Sequence, residues 1–172
     1  MKRPKRRTPL PRQSVNEKRQ LREPVPDFAV LTSLAGRATF QGSSKHKYRP
    51  GTFGMQPYSG KPVDCTYCDA HASFLPLDTL AVSRWLQRGI EAGLIGANDS
   101  QGDPSMIWAV SDNGWIYEGR ITIPGRAIYH GYPVLPNEAI AKIVLERYVN
   151  WGQDQDNPQV EASIQACRAR YR

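Results

Sequence analysis

Lys45-His46-Lys47, Glu118, Arg120, Arg126 and His130 are the residue types that cleave RNA without metal or bound water. In that chemistry a base removes the 2′-hydroxyl proton and an acid protonates the departing 5′-oxygen. Cations stabilise the pentacoordinate phosphorus. Glu118 supplies a carboxylate, His130 and His46 imidazoles, and Arg120, Arg126, Lys45, Lys47 and Arg49 the positive charge. Tyr48, Tyr129 and Tyr132 lie among the cations and histidines in sequence and suit base stacking. Trp85, Trp108, Trp115 and Trp151 read as core, Trp115 being the one best placed to stack. The competing reading makes His130 a hydrogen-bonded sheet residue and Glu118 and Arg120 a solvated edge.

The order Lys, Glu, Arg, His resembles the small microbial ribonucleases of the barnase type and the bacterial toxin ribonucleases. Their N-terminal helix followed by an antiparallel sheet is similar to residues 78–134. The resemblance implies Glu118 as base, His130 as acid, and Arg120, Arg126 and Lys47 on the phosphate, with His46 as the fallback acid or base. It implies RNA as substrate and, by analogy, an inhibitor or antitoxin protein as partner.

Cys65-Thr66-Tyr67-Cys68-Asp69-Ala70-His71 is a second constellation. Cys-x2-Cys is a ligand-pair spacing for zinc, and His71 follows at a plausible step. A structural site needs a fourth ligand from His46, Cys167 or Asp69. The alternative is two reduced, partly buried cysteines and a capping histidine, with no cofactor. No compact acidic cluster offers itself to magnesium.

The positioning elements follow from periodicity. Phe28–Leu34 is a short apolar run stopped by Gly36, and 41–62 is loop-like. Leu80, Val82, Leu86 and Ile90 give a helix over 78–92, capped by Asp78. Met106–Val110, Trp115–Ile123 and Ala127–Val134 read as strands joined at Asp112-Asn113-Gly114 and Pro124-Gly125. Ile140, Ile143, Val144 and Tyr148 give a helix over 138–150 capped by Asn137. Asn157-Pro158 opens a last one carrying Val160, Ile164, Cys167 and Tyr171. The expected class is α+β, an antiparallel meander of three or more strands with helices on one face, spanning 27–172 as a single domain.

The hairpin register decides whether the chemistry assembles. If Ile123 pairs with Arg126, His130 faces away from Glu118 and Arg120. If Ile123 pairs with Ala127, the three share a face. Hydrophobic alternation favours the first register, and a bulge at Gly119 or Gly131 would rescue the set.

The chain's entire formal charge of +7 lies in residues 1–26, with nine Lys/Arg against two Glu, while the other 146 residues balance 14 against 14. Five prolines and little apolar surface make 1–26 a disordered polybasic arm suited to a polyanion. It lacks the apolar face of a membrane anchor. Three cysteines do not make a disulfide framework, and no apolar h-region follows the basic start. The expected location is cytoplasmic, or a target cell's cytoplasm after specialised export.

Three function classes therefore stand. The first is a metal-independent, toxin-like or defence-associated endoribonuclease. The second is a non-catalytic nucleic-acid-binding or regulatory module, with or without structural zinc. A phage-type structural component is a third.

Overall fold

A computed structural model describes residues 19–61 and 65–172. Among them α1 (Phe28–Arg37), β1 (Thr39–Phe40) and α2 (Cys68–His71) precede α3 (Val82–Glu91). The meander β2 (Met106–Val110), β3 (Ile116–Ile123) and β4 (Ile128–Pro133) follows, then α4 (Ala139–Gly152) and α5 (Pro158–Arg170). The class is α+β, as expected. The sheet is mixed and curled: its order is β1-β4-β3-β2, with β1 added parallel to β4.

Helices cover both faces, not one. Trp108, Val110, Ile116 and Val134 pack against Ile140, Val144 and Tyr148 of α4 and Val160, Ile164 and Cys167 of α5. Ile107 and Tyr129, of opposite parity along the same strands, pack against Leu31 and Leu34 of α1 and Leu86 and Ile90 of α3. The reason lies in β2, Met-Ile-Trp-Ala-Val, which is buried at every residue. An unbroken apolar strand is one enclosed on both sides. Gly89 lets α3 lie close to β2, because a Cβ there would collide with the Trp108 carbonyl.

Several local expectations hold and others shift. Asn157 Oδ1 caps α5, accepting from the Gln159 and Val160 N–H groups at 2.9 and 3.4 Å. Asp78 accepts from the Leu75 N–H at 2.6 Å. Pro76–Leu80, however, forms a separate 3-10 turn, so Leu80 leaves the apolar stripe and is 82% exposed while Trp85 takes its place. α1 continues through Gly36. Glu138 takes the cap position of α4 in place of Asn137, its Oε1 accepting from the Leu135 N–H at 2.8 Å.

The polybasic arm does not extend to residue 26. Arg19 and Leu21 are buried, the Arg22 N–H donates to the Ile95 carbonyl at 2.7 Å, and Arg147 donates to the Arg22 carbonyl at 3.0 Å. Residues 19–26 belong to the body. Residues 1–18 lie outside the described residues, and their sequence carries seven of the basic side chains against one acidic. Among the described residues no helix is long and apolar enough to cross a membrane.

Candidate functional site

The hairpin adopts the register that hydrophobic alternation disfavours. Arg120 pairs with His130 and Glu118 with Tyr132, so all four lie on one face. The compensating irregularity lies between Ile121 and Ile123, where Ile123 pairs with Ile128, and not at Gly119 or Gly131. Gly125 and Ala127 complete the turn at φ 77° and 50°. Alternation misleads here because the face is mixed: α4 and α5 cover its Val134 end, whereas Arg120 and His130 remain partly open to solvent.

Glu118 sits at the centre of this face with no exposure. Arg19 Nε reaches its Oε2 at 2.5 Å, and Trp108 Nε1 donates to the same oxygen at 3.2 Å. Its other oxygen accepts from Tyr132 OH at 2.6 Å and from Arg120 Nη2 at 2.8 Å. Burial pushes the carboxyl upward, but Arg19, Tyr132 and Arg120 outweigh it and hold its pKa below the ordinary range. A carboxylate so enclosed and so stabilised as an anion is a poor proton acceptor. Glu118, expected as general base, is placed instead where it binds Arg19, Arg120 and Tyr132. Burial lowers the Arg120 pKa, and Tyr132 and Glu118 more than restore it. The guanidinium is thus a permanent cation, 37% exposed.

The loop after β1 brings the second histidine. Gln41 continues the β1–β4 pairing with an N–H to the Tyr129 carbonyl at 2.8 Å. A 3-10 turn over Ser44–His46, capped by Ser43, then lays the His46 ring on His130 at 5.5 Å and beside Tyr132 at 5.0 Å between centroids. His130 Nδ1 lies 2.8 Å from Thr122 Oγ1. His46 is only 6% exposed, and its Nδ1 has no hydrogen-bond partner among the described residues. Burial, then His130 and Lys45, push the His46 pKa down to about 4, against the pull of the Thr66 backbone. Burial, Lys45 and Arg120 also lower that of His130.

A stability prediction follows. Unfolded His46 takes a proton near pH 6.5, whereas the folded residue resists it down to about pH 4. The unfolded state therefore binds more protons between these values, and stability falls as pH drops through that window. His46→Asn should flatten the melting temperature against pH between about 6.5 and 4. An unchanged slope would contradict the burial of a neutral His46.

The remaining expected residues divide. Lys45 adjoins the histidine pair and is half-buried. Arg49 is exposed and gives its backbone N–H to Asp69 at 2.8 Å. Arg126 is exposed at the β3–β4 turn, away from the pair. Lys47, expected on the phosphate, is 5% exposed and lies 5.0 and 4.9 Å from the Phe53 and Phe74 ring centroids, so it is no surface contact. Tyr129 is buried, donating to the Pro104 carbonyl at 2.9 Å, which removes it as a stacking platform. Trp115 is buried under Arg170, whose guanidinium carbon stands 4.3 Å from the ring centroid. Arg19 is the residue sequence reasoning missed. No spacing marks it, although an arginine followed by Leu21 at the inner end of the arm is a faint cue.

The zinc constellation stays dispersed. Cys65 Sγ donates to the Lys45 carbonyl at 3.2 Å, and Cys68 Sγ to the Gly131 carbonyl at 3.5 Å. His71 Nδ1 accepts from the Tyr67 N–H at 2.9 Å. Asp69 caps the N–H groups of Tyr48 and Arg49, and Cys167 is buried against α4. Burial pushes the Cys68 thiol up to about 11. Among the described residues no group of three or more His, Cys, Asp or Glu is placed to hold a metal ion.

No protein-family model, no curated protein and no solved structure matches this chain.

Proposed function

We propose that this protein cleaves RNA through a two-histidine centre, with Arg120 and Lys45 on the phosphate. The observation that carries this reading is the stacking of His46 on His130 beside an anchored arginine. A mobile side chain loses entropy when it is fixed, so a guanidinium already held by Glu118 is well prepared to meet a phosphoryl oxygen. In this scheme lifting of the Ser44–His46 turn relieves the burial that depresses the His46 pKa, and the neutral ring then accepts the 2′-hydroxyl proton at Nδ1. His130, the more exposed ring, binds a proton when the phosphate arrives and delivers it to the 5′-oxygen. The turn Ser44–His46 must lift for Nδ1 to reach RNA. Products are a 2′,3′-cyclic phosphate and a 5′-hydroxyl, with no water consumed in the first step. Since both pKa values are lowered, the rate is highest on the acid side of neutrality and falls as His130 loses its proton.

The cationic sequence ahead of Arg19 joins the body beside this face, because Arg19 and Arg120 share Glu118. Removing residues 1–18 takes away seven basic side chains. It should weaken RNA binding and cut the slope of log K against log salt by up to about 5, if all seven meet phosphates. An unchanged slope would exclude the arm from the interface.

A second reading, a binding or regulatory module without turnover, is favoured by the burial of Glu118 and His46. The experiment that separates them is incubation with several RNAs under excess chelator, with end-group analysis. Cyclic phosphate ends support the ribonuclease. Salt-sensitive binding with no cleavage from pH 4 to 8 supports the module.

A further inference from the structure

We propose that the opposite side of the sheet carries a binding site for a small carboxylate with an apolar body, anchored on Lys47. The reading is independent of RNA cleavage. His46 closes the 3-10 turn and Lys47 follows it in extended conformation, and the two side chains meet opposite sides of the sheet: His46 the His130 side, Lys47 the side of Gly119 and Gly131. His46 meets His130, while Lys47 enters the cluster of Phe53, Phe74, Cys68 and Tyr117.

Lys47 is only 5% exposed, and no Asp or Glu forms an ion pair with it among the described residues. Two phenyl faces and the Cys68 thiol beside it offset part of the loss of hydration. A buried ammonium ordinarily has an anion as well.

The space for that anion is present. Lys47 lines a cavity of about 180 Å³ together with Phe40, Phe53, Met55, Phe74 and Thr79. Lys47, Phe40 and Phe74 also line an adjoining apolar cavity of about 40 Å³, which reaches Trp85 and Tyr117. The inner cavity lies over Gly119 and Gly131, a directly opposed pair that puts no side chains into it.

The walls define the ligand class. They offer one cation and two threonine hydroxyls, of which that of Thr79 is given to the Pro76 carbonyl and that of Thr52 remains a single neutral donor. A single delocalised negative charge is matched, whereas a phosphate dianion would need further donors. The aromatic and thioether walls suit an aromatic ring or a short alkyl chain.

The test uses the full chain without RNA, titrated with benzoate, hexanoate, benzamide and phenyl phosphate by calorimetry and by chemical-shift change. Saturable benzoate or hexanoate binding is expected, with benzamide and phenyl phosphate weaker by about 10-fold or more. Lys47→Met, which keeps the stem on the phenyl rings, should weaken benzoate by a similar factor. Met55→Trp should block the outer cavity while leaving Lys47 in place, and it serves if Lys47→Met fails to fold. No saturable carboxylate binding, equal affinity for benzamide, or preference for phenyl phosphate would each overturn the assignment. So would full benzoate affinity in both variants.

Discussion

His46→Ala and His130→Ala are each expected to lower metal-free RNA cleavage by about 10²–10⁴-fold, the range that one positioned acid or base contributes. The two losses should not add. Once one partner of a proton-transfer pair is gone, removing the other changes little, as for any groups acting as a unit. The pH profiles should differ more than the rates. With His130 removed, the alkaline fall disappears and a weak plateau set by His46 remains. With His46 removed, the acid limb disappears. Binding measured by salt-dependent titration should stay within about 2-fold for both, because the proposed scheme draws the phosphate charge from Arg120, Lys45 and the arm. Arg120→Ala should instead weaken binding and rate together. If both histidine variants cleave like wild type, the stacked rings are a structural pair and the two-histidine mechanism is wrong. Glu118→Gln distinguishes this mechanism from the one read from residue order. A general base at Glu118 predicts a folded, inactive enzyme. An anchor at Glu118 predicts a less stable protein whose activity survives below its lowered melting point.

Much of the body was legible because local patterns and tertiary demands agree. The three meander strands, the helix opened by Asn157 and its stripe Val160, Ile164, Cys167 and Tyr171 occur where periodicity puts them. What escaped depended on contacts distant in sequence. The ion pair between Arg19 and Glu118 spans 99 positions, and composition alone assigns Arg19 to a solvated arm. The hairpin register turned on an irregularity between Ile121 and Ile123 and on Ala127 at positive φ, a conformation its side chain does not advertise. The cation run 45–49 reads as one basic patch. The exit from the 3-10 turn at His46 nonetheless sends His46 and Lys47 to opposite sides, and the aromatic partners of Lys47 arrive from residues 53 and 74. The same residue types that suggested catalysis therefore separate into a histidine pair, a buried anchor and a lysine in an aromatic cavity.

Arg19→Met should destabilise the fold by about 3–5 kcal/mol, the cost of removing one partner from a buried ion pair. For a domain of this size that corresponds to a fall in melting temperature of roughly 10 °C. Arg19 bridges two carboxylates, Glu118 Oε2 at 2.5 Å and Glu138 Oε2 at 2.7 Å, and is 1% exposed. Without it, Glu118 retains Arg120, Tyr132 and Trp108, whereas Glu138 keeps the Leu135 N–H on its other oxygen. The loss should therefore be partly relieved by Glu138→Gln, which removes the less compensated charge, and the double variant measures that coupling. Acid titration supplies the sign. The folded Glu118 pKa lies below its reference value of 4.5. Its stabilisation is thus present above 4.5 and is lost as pH falls through the folded value. Arg19→Met should shrink that acid-sensitive part. The substitution also joins stability to the proposed function: it frees Arg19 from Glu118, to which Arg120 is also bound, so under that reading RNA affinity should fall even below the melting transition. A variant melting within about 2 °C of wild type, less than 1 kcal/mol at this size, would show that the chain ahead of Leu21 is not held by Glu118 and Glu138.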